Sequence, residues 1–151
     1  MTSKLSQGYV QIYTGNGKGK TTAAIGLTLR AAAAGLNVLF TQFLKAQPYS
    51  EITALKKIEN VTVIQYGPDR FIKNKPSVEE KLLAKKNIAK LKEKISSGNF
   101  DVIIIDEGNC AIDCGLICVD DLMSIITTKP QNTELVITGR NAPKQIVDAA
   151  D

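Results

Sequence analysis

Short apolar runs alternate with longer segments of helical period along the whole chain. Residues 9–13, Tyr-Val-Gln-Ile-Tyr, alternate and are rich in β-branched and aromatic side chains, the pattern of a strand. Residues 37–43, 60–66 and 134–138 also read as strands. Residues 100–107 contain the unbroken run Val102-Ile103-Ile104-Ile105, which marks a strand buried on both faces, as in a parallel sheet. Helical patterns fill the spaces between. One covers residues 20–34 and ends at Gly35; a short one covers residues 50–58. A long one begins at the N-cap Ser77, with Glu80 completing a capping box, and runs to about Ser96 before Gly98. Its apolar positions include Leu82, Leu83, Ile88, Leu91 and Ile95. Asp120 reads as the N-cap of a further helix over Leu122 to Ile126. Residues 68–76 hold two prolines among polar residues, which is loop chemistry. Repeated β–α units with right-handed crossovers predict an α/β fold, a three-layer, mostly parallel sheet in one domain over residues 1–151.

Between the first strand and the first helix lies Thr14-Gly15-Asn16-Gly17-Lys18-Gly19-Lys20-Thr21-Thr22. Strand, glycine-rich turn and helix in that order form a phosphate-binding loop. The glycines let successive N–H groups aim inward, and the helix N-terminus adds partial positive charge. Lys20 then reaches phosphate oxygens, and the Thr21 hydroxyl is placed to ligate magnesium. Thr14 stands where the usual pattern has its first glycine. Lys18 is an additional cation that either touches phosphate or is simply solvated. A P-loop NTPase fold of RecA-like arrangement follows, with a nucleotide polyphosphate as ligand.

The strand over residues 100–107 ends in Asp106-Glu107, on the edge where open α/β sheets bind ligands. An acid pair there is the Walker-B arrangement, which holds a metal ion beside the phosphate loop. Thr21, Asp106 and Glu107 are therefore the candidate ligands of Mg2+ or Mn2+. Arg140 follows the last strand onto the same edge, either to grip phosphate or to pair with Asp106 or Glu107.

Composition narrows the field. The chain has 151 residues and a net charge of +4, too mild to demand nucleic acid. No apolar run approaches membrane-spanning length and the N-terminus lacks a signal peptide's apolar stretch, so the expected location is cytoplasmic. There is no histidine, which excludes His-based acid–base chemistry and His ligation. Cys110, Cys114 and Cys118 are spaced by four, but Gly115 interrupts a common helix. They read as small buried thiols in packing positions.

The phosphate loop, Gln42-Phe43-Leu44-Lys45, Asp106-Glu107-Gly108-Asn109, the stretch from Thr138 to Pro143 and the terminal Ala150-Asp151 together resemble the P-loop ATP:corrinoid adenosyltransferases of the CobA/BtuR type. That family also begins its loop with Thr. The chain departs from it at Ala46, where the family has glycine, and in having no tryptophan. The resemblance implies transfer of the 5′-deoxyadenosyl group of ATP to cobalt(I) of a corrinoid, with release of triphosphate. Lys20, Thr21 and Glu107 would be the catalytic residues. The loop from Thr14 to Thr22, with Arg140, would bind ATP, threaded in the sense opposite to that in an ATPase. Phe71, Gln42 and Lys45 would meet the corrinoid, either cob(I)alamin or a corrinoid precursor. The resemblance also implies a flavin-type reductase as partner and a homodimer. The alternatives from the residues alone are a P-loop ATP or GTP hydrolase or kinase, or a non-catalytic nucleotide- or corrinoid-binding protein.

Overall fold

The computed structural model describes residues 5–45, 47–67, 72 and 75–151. Among these residues five strands form one sheet: β1 (Val10–Tyr13), β2 (Val38–Phe43), β3 (Val61–Tyr66), β4 (Val102–Asp106) and β5 (Glu134–Thr138). Their order is β1-β5-β4-β2-β3, and every neighbouring pair is parallel. The mostly parallel sheet expected from the sequence is therefore parallel throughout. β2 and β4 lie inside the sheet and are buried along their whole length. That is why β4 reads as an unbroken apolar run. The edge strands β1 and β3 keep partly exposed positions.

Among the described residues, six helices cover the two faces: α1 (Lys20–Ala33), α2 (Ser50–Leu55), α3 (Val78–Ser96), α4 (Gly108–Asp113), α5 (Val119–Thr128) and α6 (Lys144–Asp148). Successive strand residues point to opposite faces, so each buried strand feeds two cores. Val38, Phe40, Val102, Ile104 and Val136 pack with Ala24 and Ala31 of α1 and Ile52 and Leu55 of α2. Leu39, Ile103, Ile105, Leu135 and Ile137 pack with Ile88, Leu91 and Ile95 of α3, Leu122 and Ile125 of α5 and Ile146 of α6. Three layers result.

The ends of the elements differ from the sequence expectation in a few places. On α3 the buried stripe is Ala84, Ile88, Leu91 and Ile95. Leu82 and Leu83 are 57% and 53% exposed. The helix carries apolar residues on more than one face, and only tertiary packing selects the stripe. The cap of α5 is Cys118, with Asp121 accepting from its N–H at 2.9 Å. Asp120 is already helical. α2 stops at Leu55, short of Ile58, and α6, with its five residues, has no strong periodic signal.

The capping box of α3 is present in full. The Ser77 hydroxyl accepts from the Glu80 N–H at 3.1 Å, and the Glu80 carboxylate accepts from the Ser77 N–H at 2.8 Å. Ser77→Ala should remove about 1 kcal/mol of stability. Thermal unfolding followed by circular dichroism should show a midpoint lower by about 2–4 °C; an unchanged midpoint would mean that the cap contributes nothing net.

Candidate functional site

The loop between β1 and α1 gathers the phosphate-binding groups at the C-terminal edge of the sheet. Gly15 and Gly19 have φ of 112° and 107°, a region that side-chain-bearing residues rarely enter. Gly19 is also the N-cap of α1. Thr14, at the first-glycine position, has a use of its own: its hydroxyl accepts the Ala142 N–H at 3.3 Å, tying the loop to the turn after β5. The Lys20 ammonium lies 2.5 Å from the Gly17 carbonyl, folded onto the loop. A cavity of about 450 Å3 opens here, lined by residues 18–22 together with Glu107, Cys110 and Arg140. The fold thus brings Lys18 and Arg140, far apart in sequence, to one anion-sized space with Lys20.

Asp106 ends β4 beneath this cavity and is fully buried. Three donors converge on it. Thr21 Oγ1 donates to Oδ1 at 2.8 Å, Thr138 Oγ1 donates to Oδ1 at 2.6 Å, and Gln42 Nε2 donates to Oδ2 at 2.9 Å. The Thr21 hydroxyl and the Asp106 carboxylate thus meet at the cavity floor. Hard oxygens of this kind suit Mg2+ or Mn2+, which bind through one or two protein groups with phosphate and water supplying the rest. The described residues hold no cluster of three acidic or thiol groups that would form a protein-only metal cage.

Glu107 behaves differently from its neighbour. Its φ of 60° places it in the left-handed region, a strained state for a non-glycine residue. Its Oε1 accepts from Lys45 Nζ at 3.1 Å. Burial works to raise the Glu107 carboxyl, but the Cys110 thiol, Lys45 and, more distantly, Lys20 outweigh it and hold it below the usual range. Burial likewise opposes the charge of Lys45, and Glu107 and Asp106 overcome it, so that Lys45 titrates above its ordinary value. The ion partner of Glu107 is thus Lys45; Arg140 is exposed and faces the phosphate cavity.

Beyond the ion pair lies a second cavity of about 180 Å3, lined by Leu44, Lys45, Ile72, Glu107 and Cys114. Glu107 is the wall that the two cavities share. Gln42 does not reach this space, because it is fully buried on Asp106. Phe71 lies outside the described residues. The packing role expected of the cysteines holds for Cys114, which is half-buried against the core, and needs correction for the other two. Cys118 is exposed, and Cys110, half-buried, lines the phosphate cavity together with Glu107. Burial, then the neighbouring Glu107 carboxylate, push the Cys110 thiol up to about 11. Thr138 is a further contributor that the sequence signalled only as part of a motif. It donates to Asp106, and its oxygen accepts the Glu107 N–H at 3.1 Å, fixing both acids.

A family model described as ATP:corrinoid adenosyltransferase BtuR/CobO/CobP matches residues 6–151. The chain is 29% identical over 148 residues to the corrinoid adenosyltransferase CobA of Salmonella typhimurium, covering 96% of this chain and 74% of that one. It is 29% identical over 149 residues to a corrinoid adenosyltransferase of Sinorhizobium sp., covering 96% and 70%. It is 31% identical over 159 residues to the uncharacterized protein all2391 of Nostoc sp., where it covers 95% of this chain but spans only 42% of that protein's length. Among solved structures, the flagellar accessory protein FlaH of Methanocaldococcus jannaschii superposes with a TM-score of 0.62 at 18% identity, over 97% of this chain and 70% of that one. This last likeness is one of fold, and the fold class is that of the P-loop NTPases. With its family match running through all five strands, the chain belongs to the ATP:corrinoid adenosyltransferase BtuR/CobO/CobP family.

Proposed function

We propose that this protein transfers the 5′-deoxyadenosyl group of ATP to cobalt(I) of a corrinoid and releases triphosphate. The observation that carries this reading is the pair of adjoining cavities: a cationic one at the phosphate loop and a less polar one lined by Lys45, with Glu107, the ion partner of Lys45, lining both. A hydrolase needs one nucleotide pocket and a water. A transferase that joins two large substrates needs two pockets in contact. The corrinoid relatives support the same choice.

The nucleophile belongs to the corrinoid substrate, so the protein's tasks are positioning and charge stabilisation. The cobalt(I) electron pair attacks C5′ of ATP. A Co–C bond forms, the C5′–O bond breaks, and the electron pair leaves with triphosphate. Negative charge therefore develops on the leaving group, where Lys20, Lys18, Arg140 and the loop N–H groups would lie. Thr21 and Asp106 would hold Mg2+ or Mn2+, which neutralises phosphate charge when bound. The triphosphate lies in the loop with the adenosyl end turned toward the second cavity, the reverse of the sense in an ATPase. Glu107, bound to Lys45, forms the partition against which C5′ and cobalt meet. Cobalt(I) must come from outside, from a flavin-type reductase. No described helix is long and apolar enough to cross a membrane.

Turnover of ATP with chemically reduced cob(I)alamin, with product analysis, tests the assignment directly. Triphosphate and adenosylcobalamin are the expected products. ADP and phosphate would identify a hydrolase or kinase, and no turnover with retained nucleotide binding would identify a binding protein.

Lys20→Ala should lower kcat/KM by roughly 100-fold, about 3 kcal/mol of transition-state stabilisation, without lowering the unfolding temperature. Turnover by this variant at the wild-type rate would remove Lys20 from the site. Magnesium or manganese should stimulate turnover, and Asp106→Asn should flatten the metal titration more than Glu107→Gln, because Asp106 is the acid that meets Thr21. Equal activity in excess chelator and in magnesium would refute the metal site.

A further inference from the structure

Gln65 stands last but one in β3, in register with Gln42 of β2, which is itself in register with Asp106 of β4. Three polar side chains thus form a row across three adjacent strands. The row has a fixed sense. A carboxylate only accepts, so Gln42 must turn its NH2 to Asp106, at 2.9 Å, and its carbonyl the other way. That carbonyl accepts from Gln65 Nε2 at 3.2 Å. The same Nε2 meets the Lys45 carbonyl at 3.1 Å and the Gln47 carbonyl at 3.0 Å. Gln42 is fully buried, so its amide depends on these protein partners.

The turn that Gln65 grips is the one carrying Lys45. It is tightly held: Leu44 has φ of 64°, and a side chain at Gly67 would come within 2.9 Å of the Lys45 backbone nitrogen. From this turn the Lys45 side chain crosses to Glu107. Glu107 follows Asp106 in the chain, so the contacts close a ring: Asp106, Gln42, Gln65, Lys45, Glu107. One side of the ring touches Thr21 of the phosphate loop, and the other is the wall of the second cavity.

We propose that Gln65 is a positioning residue that ties the Lys45 wall of the second cavity to the Thr21–Asp106 centre. A ligand that draws on Thr21 or Asp106 alters the acceptor on which Gln42 depends. Gln65 passes that change to the backbone of Lys45 and so to the surface the corrinoid meets. The inference rests on the corrinoid reading of the second cavity. Gln65 belongs to no recognised motif, and its role is visible only across the strands.

The test measures binding of cob(II)alamin, which accepts no adenosyl group without a reductant, by calorimetry with and without magnesium-ATP. In the wild type, magnesium-ATP should tighten cob(II)alamin binding by about tenfold, and reciprocally. Gln65→Met keeps the length of the side chain but loses its donors. It should leave ATP binding alone within about twofold and reduce the coupling to about twofold or less. Lys45→Met cuts the ring outside the strand, so it should abolish the same coupling even if Gln65→Met fails to fold. The double variant should show no loss beyond either single one. Coupling of wild-type size in Gln65→Met or Lys45→Met would overturn the role of Gln65 while leaving the function intact. A wild type that binds cob(II)alamin without any coupling would do the same. A wild type that binds no cob(II)alamin would overturn both this inference and the corrinoid reading of the second cavity.

Discussion

Removing a carboxylate from water costs several kcal/mol unless donors meet its oxygens. Asp106 is fully buried and receives three: Thr21 from the phosphate loop, Thr138 from β5 and Gln42 from β2. Each donor comes from a different part of the chain. Satisfying this one acid therefore fixes the phosphate loop against two strands. It also orients the Gln42 amide, and through it Gln65 and the turn beyond β2. The functional edge is thus organised from a charge that the sheet places at the end of its most apolar strand.

Backbone strain concentrates at the same edge. Among the described residues, the non-glycine residues with positive φ are Leu44, Glu107 and Asn141. Each lies just past the C-terminal end of β2, β4 or β5. Such conformations cost of order 1–3 kcal/mol apiece and persist only where surrounding contacts enforce them. The contacts here are the Lys45–Glu107 ion pair, the Thr138 bond to the Glu107 N–H, and the Asn141 bond to Asp113 at 2.9 Å. Rigid parallel strands supply the force, and the loops they hold carry the chemistry.

Adjacent acids in the sequence take on separate tasks in the fold. A strand alternates its side chains between faces, but the chain turns left-handed at Glu107 as β4 gives way to α4. Asp106 therefore stays beneath the phosphate loop while Glu107 swings to the partition between two cavities. Cys110, one turn along α4, lines the phosphate cavity with Glu107 and helps to hold its carboxyl below the usual range.

The local signals in this chain were strong because they arise from local physics. Short apolar runs, alternating in β1 and unbroken in β4, marked the strands, the Ser77–Glu80 box marked the start of α3, and loop glycines between strand and helix marked the phosphate site. These depend on φ, capping and face alternation, all written within a few residues. Strand order, the partner of Glu107, the exposure of Leu82 and Leu83, and the roles of Cys110 and Gln65 were not legible. Each depends on which strand lies beside which, and no residue carries that information alone. Gln42 and Gln65 are ordinary polar strand residues until β2 stands between β4 and β3 and aligns them with Asp106. The sequence by itself determined that a phosphate loop and an acid-tipped strand occupy the same edge of a parallel sheet. Only the tertiary structure decided how the side chains along that edge pair, because hydrogen bonds and ion pairs form between neighbours in space, and packing chooses the neighbours.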